Sequence, residues 1–326
     1  MRNKYTPALA ALALALLAPV APAQPACERA AATQAARARL ERALAHGRFV
    51  AYQPTALQVV DGGFRNADPD SIRADLRVLR TRFDALVTYD AIHGAEAIPG
   101  IAAALGFRAL IIGVWDPSDP AQLDAALAAA RRYPRLVAGL SLGNESIFAR
   151  RSSFAQLTAQ IAAVRKRAAA LALSTTEPFH LYEEAGAAPL LGNMDFLLVN
   201  VHPVFQPWFR GATDATAAQF VANVVADLGQ HFCGPILVKE TGEPTAPASA
   251  GYAPERQASF YAELRRHLPA SSLRGFAYFS AFDAPWRAHD TGPVAGAATG
   301  PEEAYWGLYD SERRPKQAAQ ALAPMN

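Results

Sequence analysis

The chain is poor in cysteine, in charge and in long apolar runs. Its 326 residues hold two cysteines, 18% charged residues and seven histidines scattered at 46, 93, 180, 202, 231, 267 and 289. Two cysteines cannot frame a disulfide-stapled miniprotein, and neither C-x-x-C nor H-E-x-x-H occurs, so no metal is expected. No cofactor is expected either, because the first strand-like run leads into Tyr52, Gln53 and Pro54 rather than a glycine-rich phosphate loop. The formal net charge of +2 is carried by Arg2 and Lys4, and from residue 24 onward basic and acidic groups balance. A balanced chain lacks the basic surface that displaces counterions from nucleic acid, which excludes that class of partner. No apolar run approaches the roughly 20 residues of a transmembrane helix, so no membrane span is expected.

What is present is a basic start, an apolar run over 8–18 and the small-residue triplet Ala21, Pro22, Ala23. These are the three parts of a secretory signal with an A-x-A cleavage site. The expectation is a signal peptide over 1–23, a single domain over 24–326 and a secreted or periplasmic location. In an oxidising compartment Cys27 and Cys233 are expected to form one disulfide, with two separate thiols as the alternative.

With 51% hydrophobic residues the chain can bury a full core. From residue 28, short apolar runs alternate with longer Ala-rich amphipathic stretches. The runs lie at 49–53, 85–89, 109–114, 136–142, 171–175, 196–201, 236–239 and 275–279. Helical patterns fall at 69–82, 94–105, 120–132, 154–170, 216–228 and 254–267, with a short one near 185–191. Further helices are expected at 28–45 and 310–322. Asp68-Pro69 and Asp119-Pro120 each read as an N-cap followed by proline at the first helical position. Continuous apolar strands separated by helices imply parallel strands buried on both faces. Eight of them in one chain of this size predict an α/β protein, a single (β/α)8 TIM barrel preceded by an N-terminal helix.

In such a barrel, function sits where the strands end and in the loops that follow. Two glutamates occupy matching positions there: Glu145 follows the fourth run and Glu240 ends the seventh. Paired carboxylates across a cleft suit glycosidic cleavage, one protonating the leaving oxygen and the other stabilising or attacking the anomeric carbon. All four tryptophans, Trp115, Trp208, Trp286 and Trp306, fall in loops on the same rim, where flat rings can stack on sugars. His202 is a candidate to hydrogen-bond a carboxylate, and Asp283 is either a turn-former or a site residue. Residues 139–143 match G-x-S-x-G, the nucleophile elbow of serine hydrolases, but Ser141 lies inside an apolar strand rather than on a strand-to-helix turn. A serine esterase would need an acid and a histidine, such as Asp195 with His202 or Asp283 with His289.

Several segments together resemble glycoside hydrolase family 17. They are 72–76 (IRADL), 83–89 (FDALVTY), 137–145 (VAGLSLGNE), 174–176 (STT), 195–203 (DFLLVNVHP), 238–242 (VKETG), 278–286 (YFSAFDAPW) and 305–310 (YWGLYD). The resemblance implies a TIM barrel acting on β-1,3-glucan by a retaining mechanism, with Glu145 as acid/base and Glu240 as nucleophile. Tyr52, Tyr89, Trp115, Asn144, His202, Tyr278 and Trp286 are then the expected substrate-binding set, with Asn144 holding the sugar 2-hydroxyl. The expected partner is a neutral β-glucan, met by a monomer. Transglycosylation and a weakly active glucan-binding barrel are the alternatives. Glu243 stands where the family usually has tryptophan, and Ala284 and Arg287 where it often has glutamate and lysine.

Overall fold

The structure is a computed structural model that describes residues 31–60, 63–289 and 300–325. Residues 1–23, where a signal peptide is expected, Cys27 and most of the loop before Gly300 lie outside the described residues. Cys233 is disulfide-bonded. Among the described residues no helix is long and apolar enough to cross a membrane, and no cluster of three or more potential metal ligands occurs.

Among the described residues, ten strands and nine α-helices follow in order. They are α1 (Gln34–His46), β1 (Phe49–Ala51), β2 (Gln58–Val60), β3 (Gly63–Arg65), α2 (Pro69–Arg80), β4 (Ala85–Val87), α3 (Ile98–Ala104), β5 (Ala109–Val114) and α4 (Pro120–Arg132). The second half contains β6 (Val137–Asn144), α5 (Phe154–Arg167), β7 (Leu173–Pro178), α6 (Ala188–Asn193), β8 (Leu197–Asn200), α7 (Asp214–His231), β9 (Ile236–Glu240), α8 (Pro254–His267), β10 (Arg274–Tyr278) and α9 (Gln317–Gln320). Eight strands close a parallel barrel in the order β1-β10-β9-β8-β7-β6-β5-β4, and β2 and β3 form a separate antiparallel hairpin. The expected (β/α)8 architecture is therefore what the chain adopts.

The helices start where the sequence marks them. Asp68 accepts the Ser71 N–H at 2.8 Å, and Asp119 accepts the Ala121 N–H at 2.8 Å, each ahead of a proline. Ser153 and Gln156 form a reciprocal capping box on α5. Ile72, Leu76 and Leu79 make the buried stripe of α2. The expected helix over 310–322 shrinks to α9, because Pro315 cannot continue a helix and instead bridges Tyr309.

Two apolar layers account for the continuous hydrophobic strands. Phe49, Ala85, Val87, Ile111, Leu198 and Leu237 fill the barrel interior together with Ala36, Leu40, Ala43 and Leu44 of α1. That stripe places α1 against the interior and closes the end of the barrel where the strands begin. Val50, Tyr52, Leu86, Ile112, Val199 and Val238 belong to the outer layer packed with the helices. Side-chain direction alternates along each strand, so parity decides which residues see the mouth of the barrel.

Candidate active site

The two glutamates reach the mouth because their strands depart from regular register. Along β8 and β9 the pairing passes from Val199–Val238 to Asn200–Glu240, skipping Lys239. Along β6 and β7 it passes from Ser141–Ser174 to Asn144–Thr176. An extra residue of this kind re-aims the side chains beyond it. Glycine permits two close approaches at this end: a Cβ on Gly113 would lie 2.4 Å from Thr88 O beside Tyr89, and one on Gly242 would lie 2.0 Å from Phe279 O.

Glu145 itself adopts a left-handed backbone, φ 50°, which costs a non-glycine residue about 1–3 kcal/mol. Its N–H donates to Thr176 O at 2.7 Å. The fully buried Glu177 at the end of β7 grips the following turn, accepting the N–H groups of Ile147 at 2.9 Å and Phe148 at 3.2 Å. Burial pushes Glu177 up to about 7, against the pull of those N–H donors. Arg151 donates to Asn144 O at 2.6 Å, so both sides of the turn are tied.

Glu145 and Glu240 share a network. Asn200, the register partner of Glu240, donates its side-chain N–H to Glu145 Oε1 at 2.8 Å. The wholly buried Lys239 ammonium bonds Asn144 Oδ1, lies 3.6 Å from Glu240 Oε1 and sits 4.0 Å from the Tyr89 ring centroid. His202 Nε2 lies 3.5 Å from Glu240 Oε2. Burial, then the neighbouring Glu240 charge, raises the Glu145 carboxyl above the ordinary range. Burial acts upward on Glu240 too, but the hydrogen bond with His202 and the charges of Lys239 and Arg287 outweigh it and hold the group at about 2. The Tyr89 hydroxyl is driven well above its usual value by burial and then by Glu240. The pair thus presents one carboxyl biased toward the acid and one biased toward the anion, the division of labour that acid-assisted displacement needs.

Both glutamates open into a cleft of about 550 Å³. Tyr89, Trp115, Asn144, His202 and Trp286 line it, whereas Tyr52 and Tyr278 do not. Strand parity is the reason for this correction. Tyr52 turns to the helix layer and donates its hydroxyl to Asp75 at 2.8 Å, and Tyr278 packs on Tyr261 with its hydroxyl accepting the Glu243 N–H at 3.0 Å. Their neighbours Gln53 and Phe279 face the cleft instead. Of the tryptophans, Trp115 carries the Arg151 guanidinium 4.7 Å from its ring centroid, Trp306 is buried against Phe279, and Trp208 packs on Phe220 without lining the cleft. Asp283 is held by Lys316 Nζ at 2.6 Å and the Gly307 N–H at 2.8 Å, a structural role. Ser141 is fully buried within β6 and paired with Thr176 Oγ1 at 2.9 Å, and Asp195, ahead of β8, bonds Arg165 rather than His202. No esterase constellation forms from them.

Asn200 and Lys239 carry no expectation from the sequence, and Glu177 figures there only as one of the residues at a strand end. Each is a polar residue inside or ending an apolar strand, and that misfit with its surroundings is the signal that could have found them. Arg287 also donates to the buried Glu303 at 2.8 Å, bringing a carboxylate to the cleft wall from beyond residue 300. Glu243 lies outside the cleft, fully buried, with Arg256 Nε at 3.7 Å, and burial raises it to about 8.

The sequence model of the BtgE/BtgC glycoside hydrolase domain matches residues 50–307, which span the barrel from β1 past β10. The chain belongs to the BtgE/BtgC glycoside hydrolase family. This glycoside hydrolase is 27% identical over 267 residues, 76% of its own length and 84% of the relative's, to a glucan 1,3-beta-glucosidase of Arthroderma benhamiae. Its fold is similar to that of a glycoside hydrolase family 17 β-1,3-glucanosyltransferase from Rhizomucor miehei, with a TM-score of 0.63, 21% identity and coverage of 83% and 95% of the two chains. An endo-laminarinase from Formosa Hel1_33_131 aligns with a TM-score of 0.60 at 16% identity, covering 83% and 85%. The resemblance read from the motifs holds.

Proposed function

We propose that this glycoside hydrolase is an exported enzyme that cleaves β-1,3-glucan with retention of configuration, Glu145 acting as acid/base and Glu240 as nucleophile. The observation that carries the assignment is the placing of the two carboxyls in one cleft, with Lys239 and His202 at 3.6 and 3.5 Å from Glu240 and the neutral Asn200 amide donating to Glu145 at 2.8 Å. In the first step Glu145 gives its proton to the glycosidic oxygen as the bond from that oxygen to the anomeric carbon breaks. Glu240 attacks the same carbon to form a glycosyl ester, and the leaving sugar departs as an alcohol. Once the ester removes the Glu240 charge, the anionic Glu145 takes a proton from water. The resulting attack on the anomeric carbon frees Glu240. Lys239 occupies Asn144 Oδ1, which leaves the Asn144 amide N–H for the sugar 2-hydroxyl.

The substrate class rests on the Arthroderma relative, a glucan 1,3-beta-glucosidase, on the Rhizomucor structure with laminaritriose bound, and on the balanced charge of the chain. Transfer to a second sugar competes with hydrolysis. Phe148, Phe179 and His180 form an aromatic group on the cleft wall beyond Glu145, suited to hold an acceptor. Incubation with laminarin tests the proposal: reducing ends accumulate with the native enzyme and not with Glu240→Gln. Binding of laminarin unaccompanied by turnover in the native protein would overturn it in favour of a glucan-binding barrel.

A further inference from the structure

The β2–β3 hairpin follows the first barrel strand and presents one large apolar side chain, Phe64, which is 44% exposed. An exposed phenylalanine on a short hairpin would ordinarily be mobile, yet this ring is stacked face to face on His93, with centroids 4.1 Å apart and planes 19° from parallel. His93 is fixed in turn. Its backbone takes φ 59°, and its Nδ1 lies 2.5 Å from Asp90 Oδ2. The other Asp90 oxygen accepts the N–H groups of Ala91 at 2.7 Å and Ile92 at 3.1 Å. The turn after β4 therefore backs a flat apolar ring supplied by the hairpin. Phe64 and His93 both line the cleft that holds Glu145 and Glu240.

We propose that Phe64, backed by His93, is a carbohydrate-stacking subsite that takes a glucosyl unit of the same chain outside the pair flanking the scissile bond. The inference rests on the proposed glucan substrate. Barrel order puts this platform on the loops after β1 and β4 and the acceptor-side aromatics on those after β6 and β7, with β5 between them on one side of the ring and β8, β9 and β10 on the other. Both aromatic groups and both glutamates line one cleft, so a glucan long enough to span it reaches all of them. The exposed face of Phe64 offers apolar area to the C–H face of a pyranose, and the preorganised stack removes the ordering cost of a free side chain. A cleft of about 550 Å³ leaves room for more than one sugar ring.

The test is calorimetric binding of laminari-oligosaccharides from biose to hexaose, and of β-1,4 and β-1,6 gluco-oligosaccharides, to Glu240→Gln with and without Phe64→Ala. Turnover of laminarin is measured in parallel on the protein with Glu240 intact. The subsite predicts that Phe64→Ala weakens pentaose about tenfold and biose by less than about twofold, with Phe64→Tyr restoring the long-chain affinity. Equal effects at all lengths, or none, would overturn it while laminarin turnover left the proposed activity standing. Length-dependent loss without turnover would support the subsite and defeat the proposed hydrolysis. If no oligosaccharide bound, the subsite would fall, and the proposed hydrolysis with it only where laminarin was not turned over either.

Discussion

Replacing Lys239 by methionine removes a single buried positive charge beside Glu240 while keeping a side chain of similar length. The ammonium is fully buried and 3.6 Å from Glu240 Oε1. At an effective dielectric of about 20, that separation corresponds to roughly 4–5 kcal/mol of attraction, part of which is offset by the cost of burying the ammonium. With about 1–3 kcal/mol left as the net effect on ionisation, the acid limb of kcat/KM should rise by about one to two pH units in Lys239→Met. His202 and Arg287 remain to hold Glu240 below the ordinary range, so the limb does not vanish. The sign for stability is consistent. Glu240 titrates at about 2 in the folded protein, so its contribution is present above about pH 4.3 and lost as the pH falls toward 2. The variant narrows that window from below. Asn144 Oδ1 also loses its donor, which should lower kcat/KM at the optimum by about 10- to 100-fold. The assay is kcat/KM on laminaripentaose from about pH 1.5 to about pH 8, at a temperature well below both melting midpoints. An acid limb within about 0.3 pH unit of the native one, with kcat/KM changed less than about twofold, would refute the electrostatic role of Lys239.

Glu243 titrates at about 8, so its contribution to stability is fully present below about pH 4.3 and is lost as the pH rises through 8. Glu243→Gln should therefore gain roughly 3 kcal/mol relative to the native protein between pH 5 and pH 8; parallel pH dependence of the two Tm values by calorimetry would contradict this. Asp75 is fully buried and accepts from Tyr52, Thr55 and Arg313, the last at 2.7 Å. Arg313→Ala leaves that carboxylate short of its cation and should cost about 2–4 kcal/mol in urea unfolding, with a loss below about 0.5 kcal/mol counting against the pair. Glu177→Gln keeps one acceptor for the turn after Glu145 and loses the other, and is expected to lower kcat about tenfold with little change in KM. A change confined to KM would show that Glu177 does not position Glu145.

The barrel was legible because its signals are local. The run at 109–114 and the helix at 120–132 coincide with β5 and α4, where a fully apolar strand and a capped, proline-started helix leave little ambiguity. Glu145 and Glu240 were legible for the same reason, being charges at the ends of apolar runs. Tyr52 and Tyr278 misled because rank along a strand was read without its alternation, and one residue of parity separates the helix layer from the cleft. Lys239 and Asn200 depend on a register shift between strands distant in sequence, which no single run displays. The hairpin carrying Phe64 was passed over although Asp61-Gly62 between alternating residues is a turn signal. Its strands of three residues are too short to stand out beside the barrel runs.

Glu240 is the group proposed to form the covalent link to the sugar. A 2-deoxy-2-fluoro-β-laminaribiosyl fluoride should trap that ester, since the fluorine at C2 slows both steps and the fluoride leaving group restores only the first. Peptide mapping by mass spectrometry then locates the adduct. Attachment to Glu240 is the predicted result; attachment to Glu145 or Glu177, or no adduct on an enzyme that turns over laminarin, would contradict the account.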